Sequence, residues 1–261
     1  MTLGPFTLDE IYLGDCREGL KQLPDKSVDF VFTDPPFGHN NNDGDLASMR
    51  EAVFGGHTRS YNEVEEWRPI AQDGPEANDL FRFTIGHVNR LLRSGGCCCC
   101  YCCSGGGGPD PQFARWSMWL DEAVGFKQMV VWDKGPIGMG HHYRRSYETV
   151  LVGQKKGGPC RWYAESKDIE NIIRPGDFGI KKIIPSADQH PTEKPVELAK
   201  FFISLHTKPG DLVLDPFAGS GTTLLAAHDL GRHYLGFEIE HRWVDLARKR
   251  LAAAKAQGRL F

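Results

Sequence analysis

The 261-residue sequence predicts an α/β fold: a mostly parallel twisted sheet with helices on both faces. Three observations carry this. Strand, turn and helix signals alternate along most of the chain, as βαβ units require. Six of the eight cysteines fall in one apolar run, 97–103, which suits a strand buried on both sides. Two strand ends run directly into turns that set an acid beside Pro or Gly, at Asp34 and Asp215. With 40% hydrophobic and 25% charged residues, the chain has the balance of one globular domain over 1–261. No run approaches the roughly 18 apolar residues of a membrane span. The first ten residues lack a signal-peptide pattern, so the cytoplasm is the expected compartment.

The elements follow in order. Residues 27–33 form a short apolar strand ending at Asp34-Pro35-Pro36-Phe37. Residues 39–79, rich in Asn, Gly, Asp and Glu, make a mobile polar loop of a length that compact domains reserve for lids and binding arms. Residues 79–93 place Leu80, Phe81, Ile85, Val88, Leu91 and Leu92 at helical spacing, and Gly95-Gly96 is expected to end that helix. The cysteine strand comes next, then a glycine loop at 105–108, a helix over 111–124 and strands at 126–132 and 147–152. Residues 195–206 form a helix with Thr192 as its expected N-cap. Strand 212–214 leads into a glycine turn, helix 222–230 is stopped by Gly231, and strand 234–239 precedes an amphipathic helix over 241–256.

Neighbouring strand residues point to opposite faces, so the clustered cysteines cannot share one tetrahedral centre. Cys16 and Cys160 stand isolated along the chain. Free buried thiols in a reducing compartment, with no metal, are therefore expected. The net charge of −3 hides an asymmetry. Residues 1–80 hold 6 Lys/Arg against 16 Asp/Glu, whereas 81–261 hold 25 against 18. The window 141–182 has 9 basic and 5 acidic residues with Tyr143, Tyr147, Trp162 and Tyr163 interleaved. Cations pair with phosphates and rings stack on bases, so this window suits nucleic acid, although a solvated face has the same composition.

Two turns carry chemistry. In Asp215-Pro216-Phe217-Ala218-Gly219-Ser220-Gly221, glycines at a strand end let a ligand approach the backbone closely. The spacing is neither the dinucleotide fingerprint nor a P-loop, so a cofactor without pyrophosphate fits better. Glu238 lies 19 residues after Gly219, near the offset at which an acid takes a ribose diol. In Asp34-Pro35-Pro36-Phe37 the prolines fix φ and remove backbone donors, leaving a stiff turn with acceptors and an aromatic face. Such a set can hold an exocyclic amine on a flat base. A simple strand-terminating turn would explain the prolines but not the Asp and Phe beside them.

Together these residues resemble the beta class of DNA amino-methyltransferases, the N6-adenine and N4-cytosine family. Asp34-Pro35-Pro36-Phe37 is similar to its catalytic D-P-P-[YF] signature, and 215–223 to its S-adenosylmethionine loop. Gly14-Asp15-Cys16, 190–195 (His-Pro-Thr-Glu-Lys-Pro) and 236–239 (Gly-Phe-Glu-Ile) agree. With the catalytic element first and the cofactor loop last, the resemblance implies a circularly permuted, Rossmann-like methyltransferase fold. It also implies roles. Asp34, with the Pro35 carbonyl in the stiff Pro35-Pro36 turn, would accept from the target amine, and Phe37 would stack on the base. Asp215, Phe217, Gly219, Ser220, Gly221 and Thr222 would surround the methionine part of the cofactor. Asp34 would border that pocket as well. Glu238 would hold the ribose, Asp15 would meet the adenine, and Thr192 and Lys194 would close the pocket. Lys194 fits a plain surface role equally well.

The implied reaction is methyl transfer from S-adenosylmethionine to N6 of a flipped-out adenine in double-stranded DNA, Asp rather than Ser before Pro-Pro favouring adenine over N4 of cytosine. Lys134, Tyr143, Arg144, Arg145, Lys155 and Lys156 are the expected DNA contacts, within or beside a small target-recognition region at 135–189. A homodimer and a cognate restriction endonuclease are the further partners that such a family raises. An inactive DNA-binding relative, an RNA or protein-glutamine methyltransferase and a zinc-dependent binding protein are the competing readings. Intact Asp34, Gly219 and Glu238 argue against the first, and the order of the motifs against the second.

Overall fold

The structure is a computed structural model that describes residues 1–38, 71–102, 112–135, 146–180 and 193–257. Ten strands are found among these residues. β1 (Thr2–Leu3) and β2 (Phe6–Thr7) form a small hairpin. The other eight build one sheet: β3 (Glu10–Leu13), β4 (Val28–Thr33), β5 (Leu92–Cys102), β6 (Phe126–Asp133), β7 (Tyr147–Gln154), β8 (Ile172–Ile173), β9 (Leu212–Asp215) and β10 (His233–Glu238). Their order across the sheet is β3-β10-β9-β4-β5-β7-β6-β8. β7 runs antiparallel to both its neighbours, and the remaining pairs are parallel. Late strands β9 and β10 thus lie between early strands β3 and β4, which is the spatial form of the expected permutation.

Helices cover both faces because the central strands β4, β5, β9 and β10 are buried on both. α1 (Cys16–Gln22), α2 (Ala77–Leu91) and α3 (Gln112–Ala123) pack on one side, against Val31, Cys98, Cys100, Leu151 and Leu214. α4 (Val196–His206), α5 (Thr222–Asp229) and α6 (His241–Gln257) pack on the other, against Phe30, Phe32, Cys97, Cys99 and Val150. The cysteine strand alternates as its period of two demands: Cys98, Cys100 and Cys102 on the first face, Cys97, Cys99 and Tyr101 on the second.

Several expectations change. Gly95-Gly96 does not end a helix, because α2 stops at Leu91. The glycines form a bulge in β5, where Leu92 pairs with Val28 but Cys97 already pairs with Phe30. Gly95 sits at φ +72, and a Cβ there would collide with the Pro159 carbonyl. The N-cap of α4 is Pro195, whose carbonyl accepts from Leu198 and Ala199, and Thr192 lies outside the described residues. Within the region 135–189, β7 is a strand of the main sheet, paired with β5 and β6. Of the 39–79 loop only 71–79 is described, and its last residues belong to α2. The glycine loop 105–108 is also outside. β3, the hairpin and α1 escaped the sequence patterns. None of the helices found among the described residues is long and apolar enough to cross a membrane.

Asp29 ties the amino ends together. It is buried, accepts from the Leu212 amide at 2.9 Å, and pairs with Arg93 at 2.8 Å and Arg161 at 2.5 Å. Asp29→Ala strands two guanidinium groups and one amide, so it should cost about 3–5 kcal/mol, the range for breaking one side of a buried ion pair. Urea unfolding checks this, and a loss under 1 kcal/mol (roughly the worth of a surface pair) would contradict it.

Candidate active site

β9 and β4 are the neighbours at which the chain's crossovers diverge, β9 leading through α5 to β10 and β4 through α2 to β5. Open α/β sheets bind ligands outside the carboxyl ends of such strands. Asp215 and Asp34 end these two strands, and Thr33 Oγ1 donates to Asp215 Oδ1 across the junction at 2.8 Å. An open pocket lies above them, lined by both turns, by 14–16 and by Ile239, Glu240 and Trp243.

The glycine turn is held by its own acids. Asp215 Oδ1 accepts from the Phe217 amide at 3.0 Å, and burial pushes its carboxyl up to about 6. Gly219, at φ +50, donates its amide to Glu238 Oε2 at 2.9 Å, while Glu238 Oε1 accepts from the Glu240 amide at 2.8 Å. Glu238 is thereby fixed at the pocket, its carboxyl raised above the ordinary glutamate range by burial against those two bonds. Ser220 accepts from Arg250, which also pairs with Glu193 at 2.9 Å. Thr222 Oγ1 is buried at the pocket without a hydrogen-bond partner.

The proline turn meets a lysine. Pro35 and Pro36 are buried, and Lys194 Nζ donates to Asp34 Oδ2 at 2.6 Å. The same ammonium lies 3.7 Å from Glu148 Oε2, 5.7 Å from the Phe37 ring centroid and 5.0 Å from that of Tyr101. Lys194 is one-tenth exposed, which removes the plain surface role. Burial disfavours its charge, yet Asp34 and Glu148 outweigh burial and hold its pKa above the ordinary lysine range. Burial also raises Asp34, against Lys194 and with help from Glu148 and Asp73. Glu148 goes the other way: burial would raise it, but Lys194 and Lys134 together pull it down. One oxygen of Asp34, Oδ1, stays buried with no hydrogen-bond partner.

Glu148 and Tyr101 were not anticipated. A lone acid in the apolar strand 147–152 was the available signal for Glu148. Tyr101 sat unremarked in the cysteine run. At the far end of the polar loop, Asp73 Oδ1 accepts from the Gly38 amide at 2.7 Å and steadies the proline turn.

Other expected site residues move. Gly221 does not line the pocket: it starts α5 at φ +82, and a Cβ there would stand 2.8 Å from that of Ala247 on α6. Asp15 lines the pocket, but its carboxylate caps α1 through the Arg17 amide at 2.8 Å and pairs with the Arg17 side chain, which holds it below its ordinary value. Lys134, half-exposed at the end of β6, pairs with Glu148 at 2.6 Å. Lys155 and Lys156 follow the antiparallel β7, so they emerge at the amino ends of the parallel strands, away from both turns. Lys155 donates to the Leu92 carbonyl there at 2.8 Å. Tyr143, Arg144, Arg145 and Thr192 lie outside the described residues. Cys160 is not isolated in space, because its Sγ lies 3.8 Å from that of Cys97.

A family model described as DNA methylase, of N6 and N4 methyltransferases, matches residues 28–249. The chain belongs to this DNA methylase family. It is similar to Type II methyltransferase M2.DpnII of Streptococcus pneumoniae, 28% identical over 260 residues that cover 92% of this chain and 88% of that one. Type II methyltransferase M.HinfI of Haemophilus influenzae is 28% identical over 263 residues, covering 95% and 69%. Among solved structures, the M1.HpyAVI–SAM complex matches the methylase with a TM-score of 0.61 at 26% identity, covering 93% of this chain and 98% of that one. The cytosine-N4-specific PvuII DNA methyltransferase shares the fold, with a TM-score of 0.67 at 20% identity and coverage of 94% and 89%.

Asp215 makes the stability of the methylase depend on pH. Its carboxyl binds a proton more readily in the folded chain, at about 6, than at the ordinary 3.8. Stability from that proton is complete below 3.8 and is lost as pH rises through 6. Asp215→Asn does not titrate. Between pH 5 and pH 8 the variant should therefore gain ~1 kcal/mol on the parent. Urea unfolding at both pH values measures the gap, and a gap independent of pH would refute the assignment.

Proposed function

We propose that the methylase transfers a methyl group from S-adenosylmethionine to the exocyclic N6 of an adenine flipped out of double-stranded DNA. The observation that carries this is Asp34: one oxygen held by Lys194, the other buried without a partner at the pocket. An amino group entering there finds an acceptor already oriented. The choice of adenine rests on Asp, rather than Ser, before Pro35-Pro36. N4 of cytosine is the alternative, since both chemistries occur in this family.

The residues present fit the cofactor. Thr222 Oγ1 offers an unmet polar atom, Glu238 a fixed carboxylate at the offset for a ribose, and the start of α5 amide donors for a carboxylate. Asp34, Asp215 and Glu238 outnumber Lys194 at the pocket and leave it short of positive charge, which suits a cation. When bound, S-adenosylmethionine supplies an electrophilic methyl group on a positively charged sulfur. The chain's own residues do the rest. Asp34 and the Pro35 carbonyl accept the two amine protons, which favours a pyramidal nitrogen with an available lone pair. Phe37 stacks on the base and holds its plane. Asp34, raised by burial, can take the proton that the amine releases. Lys194 keeps Asp34 aimed, and Phe217 and Gly219 shape the cofactor wall.

On the DNA side, Lys134, with Trp132 beneath it, leaves the sheet at the end where the turns lie, and Tyr143, Arg144 and Arg145 follow it in the sequence. They are proposed to meet the phosphates. Lys155 and Lys156 are not.

Digesting methylated DNA to nucleosides for mass spectrometry tests the reading: N6-methyladenine supports it, N4-methylcytosine corrects the base, and 5-methylcytosine overturns the mechanism. Asp34→Ala should abolish transfer while the fold survives. Phe37→Tyr should stay active, whereas Phe37→Ala should lose roughly 1–3 kcal/mol of base stacking, read as weaker binding of target DNA.

The reaction also has a proton signature. Asp34 must be ionised to accept, so single-turnover rates should fall as pH drops through a midpoint above the ordinary 3.8. Lys194 opposes that rise, so Lys194→Gln should move the midpoint further up. A midpoint that stays put in Lys194→Gln would remove Lys194 from the acceptor.

A further inference from the structure

At the amino ends of the strands, on the opposite edge of the sheet from the pocket, three soft-metal donors converge from three segments. Cys97 lies in the buried run of β5, Cys160 in the segment after β7, and His206 ends α4. Their donor atoms all lie within 4.8 Å of one another, and the two Sγ atoms are 3.8 Å apart. Two thiolates held by a tetrahedral zinc ion, at about 2.3 Å each, stand about 3.8 Å apart. A disulfide would need roughly half that separation.

The imidazole is already oriented. His206 Nδ1 lies 3.1 Å from the Arg161 carbonyl oxygen. A carbonyl only accepts, so in the neutral ring an Nδ1–H donating to it leaves the lone pair on Nε2. A histidine that donates one ring N–H to a backbone carbonyl is in the arrangement that metal-ligating histidines use. Phe30 stacks on the ring at 5.4 Å and Trp162 meets it edge-on at 5.6 Å. Cys97 is buried and Cys160 exposed, so the group has one dry side and one solvent-facing side.

We propose that Cys97, Cys160 and His206 bind one zinc-class divalent cation, with a fourth position open to water beside Cys160. The thiol protons leave to solvent on binding, and two thiolates then cancel the charge of the ion. The bound ion joins segments 63 residues apart in the sequence and braces the edge that Asp29 also ties. This site stands apart from methyl transfer and does not depend on that reading.

The test uses the full chain, reduced and stripped of metal with a chelator, then titrated with Co²⁺ as the probe. A thiolate-to-cobalt charge-transfer band saturating at one equivalent, and bleached by Zn²⁺, is expected. Zn²⁺ should also raise the melting temperature by about 3 °C or more. Cys160→Ser changes an exposed side chain, so the fold should persist, and cobalt affinity should fall by about tenfold or more. Cys16→Ala, away from the cluster, should bind as the parent does. No saturable band in the parent, or equal affinity in Cys160→Ser, would overturn the proposal. So would a Cys97–Cys160 disulfide that survives reduction and takes the place of the metal.

Discussion

One ammonium shared by two partly buried carboxylates sets the terms for the pocket. Lys194 comes from the segment before α4, Asp34 from the end of β4 and Glu148 from β7, so three distant stretches of chain meet on one charge. Burial would drive each group alone toward its neutral form. Held together they stay charged, with an excess of negative charge. Because the lysine takes only one Asp34 oxygen, the other stays buried, oriented and unmet. That is the state an acceptor must be in before its donor arrives, since no reorganisation is then left to the moment of reaction.

The sheet delivers these groups. Thr33 and Asp215 touch although they are 182 residues apart in sequence, because β9 inserts between β10 and β4. Parallel pairing depends on which strands lie side by side, not on which was made first. A permuted order of elements therefore produces one continuous carboxyl edge, with the glycine turn and the proline turn on adjacent strands. β7, the reversed strand, completes the site from the other direction: its first residues reach the carboxyl edge, so Glu148 arrives beside Lys194, while its last residues carry Lys155 and Lys156 away.

This reversal marks where sequence reading stopped. Strands β4, β5, β6, β7, β9 and β10 and the helices between them were legible, because strands buried on both faces read as apolar runs and helices as three-to-four spacing. Asp34, Gly219 and Glu238 were legible because a turn at a strand end leaves a local mark. A strand's direction leaves none. Lys155 and Lys156 therefore looked like companions of Arg144 and Arg145, and nothing singled out Glu148. Long-range pairing is equally silent in a linear chain: nothing near Cys160 announces Cys97, and nothing near Lys194 announces Asp34. Gly221 shows a subtler limit. A glycine in a binding motif reads as room for a ligand, yet this one makes room for Ala247.

The two edges of the sheet treat their buried carboxylates differently. At the amino edge the buried charge is met: Asp29 satisfies two arginines and a backbone amide. At the carboxyl edge Asp34 Oδ1, the Tyr101 hydroxyl and Thr222 Oγ1 are buried and lack hydrogen-bond partners, while Glu148 Oε2 has the Lys194 ammonium at 3.7 Å. Each unmet polar atom costs about 1–3 kcal/mol, so the fold carries several kcal/mol of unsatisfied bonding on one side. Such a concentration persists only where the rest of the structure can bear it, and the apolar packing on both faces of the sheet supplies that margin. A ligand that meets these atoms recovers the cost as affinity. The part of the cost centred on Asp34 is recovered only by a group that presents a proton there, which makes the same unmet oxygen a source of binding energy and of selectivity for a hydrogen-bond donor.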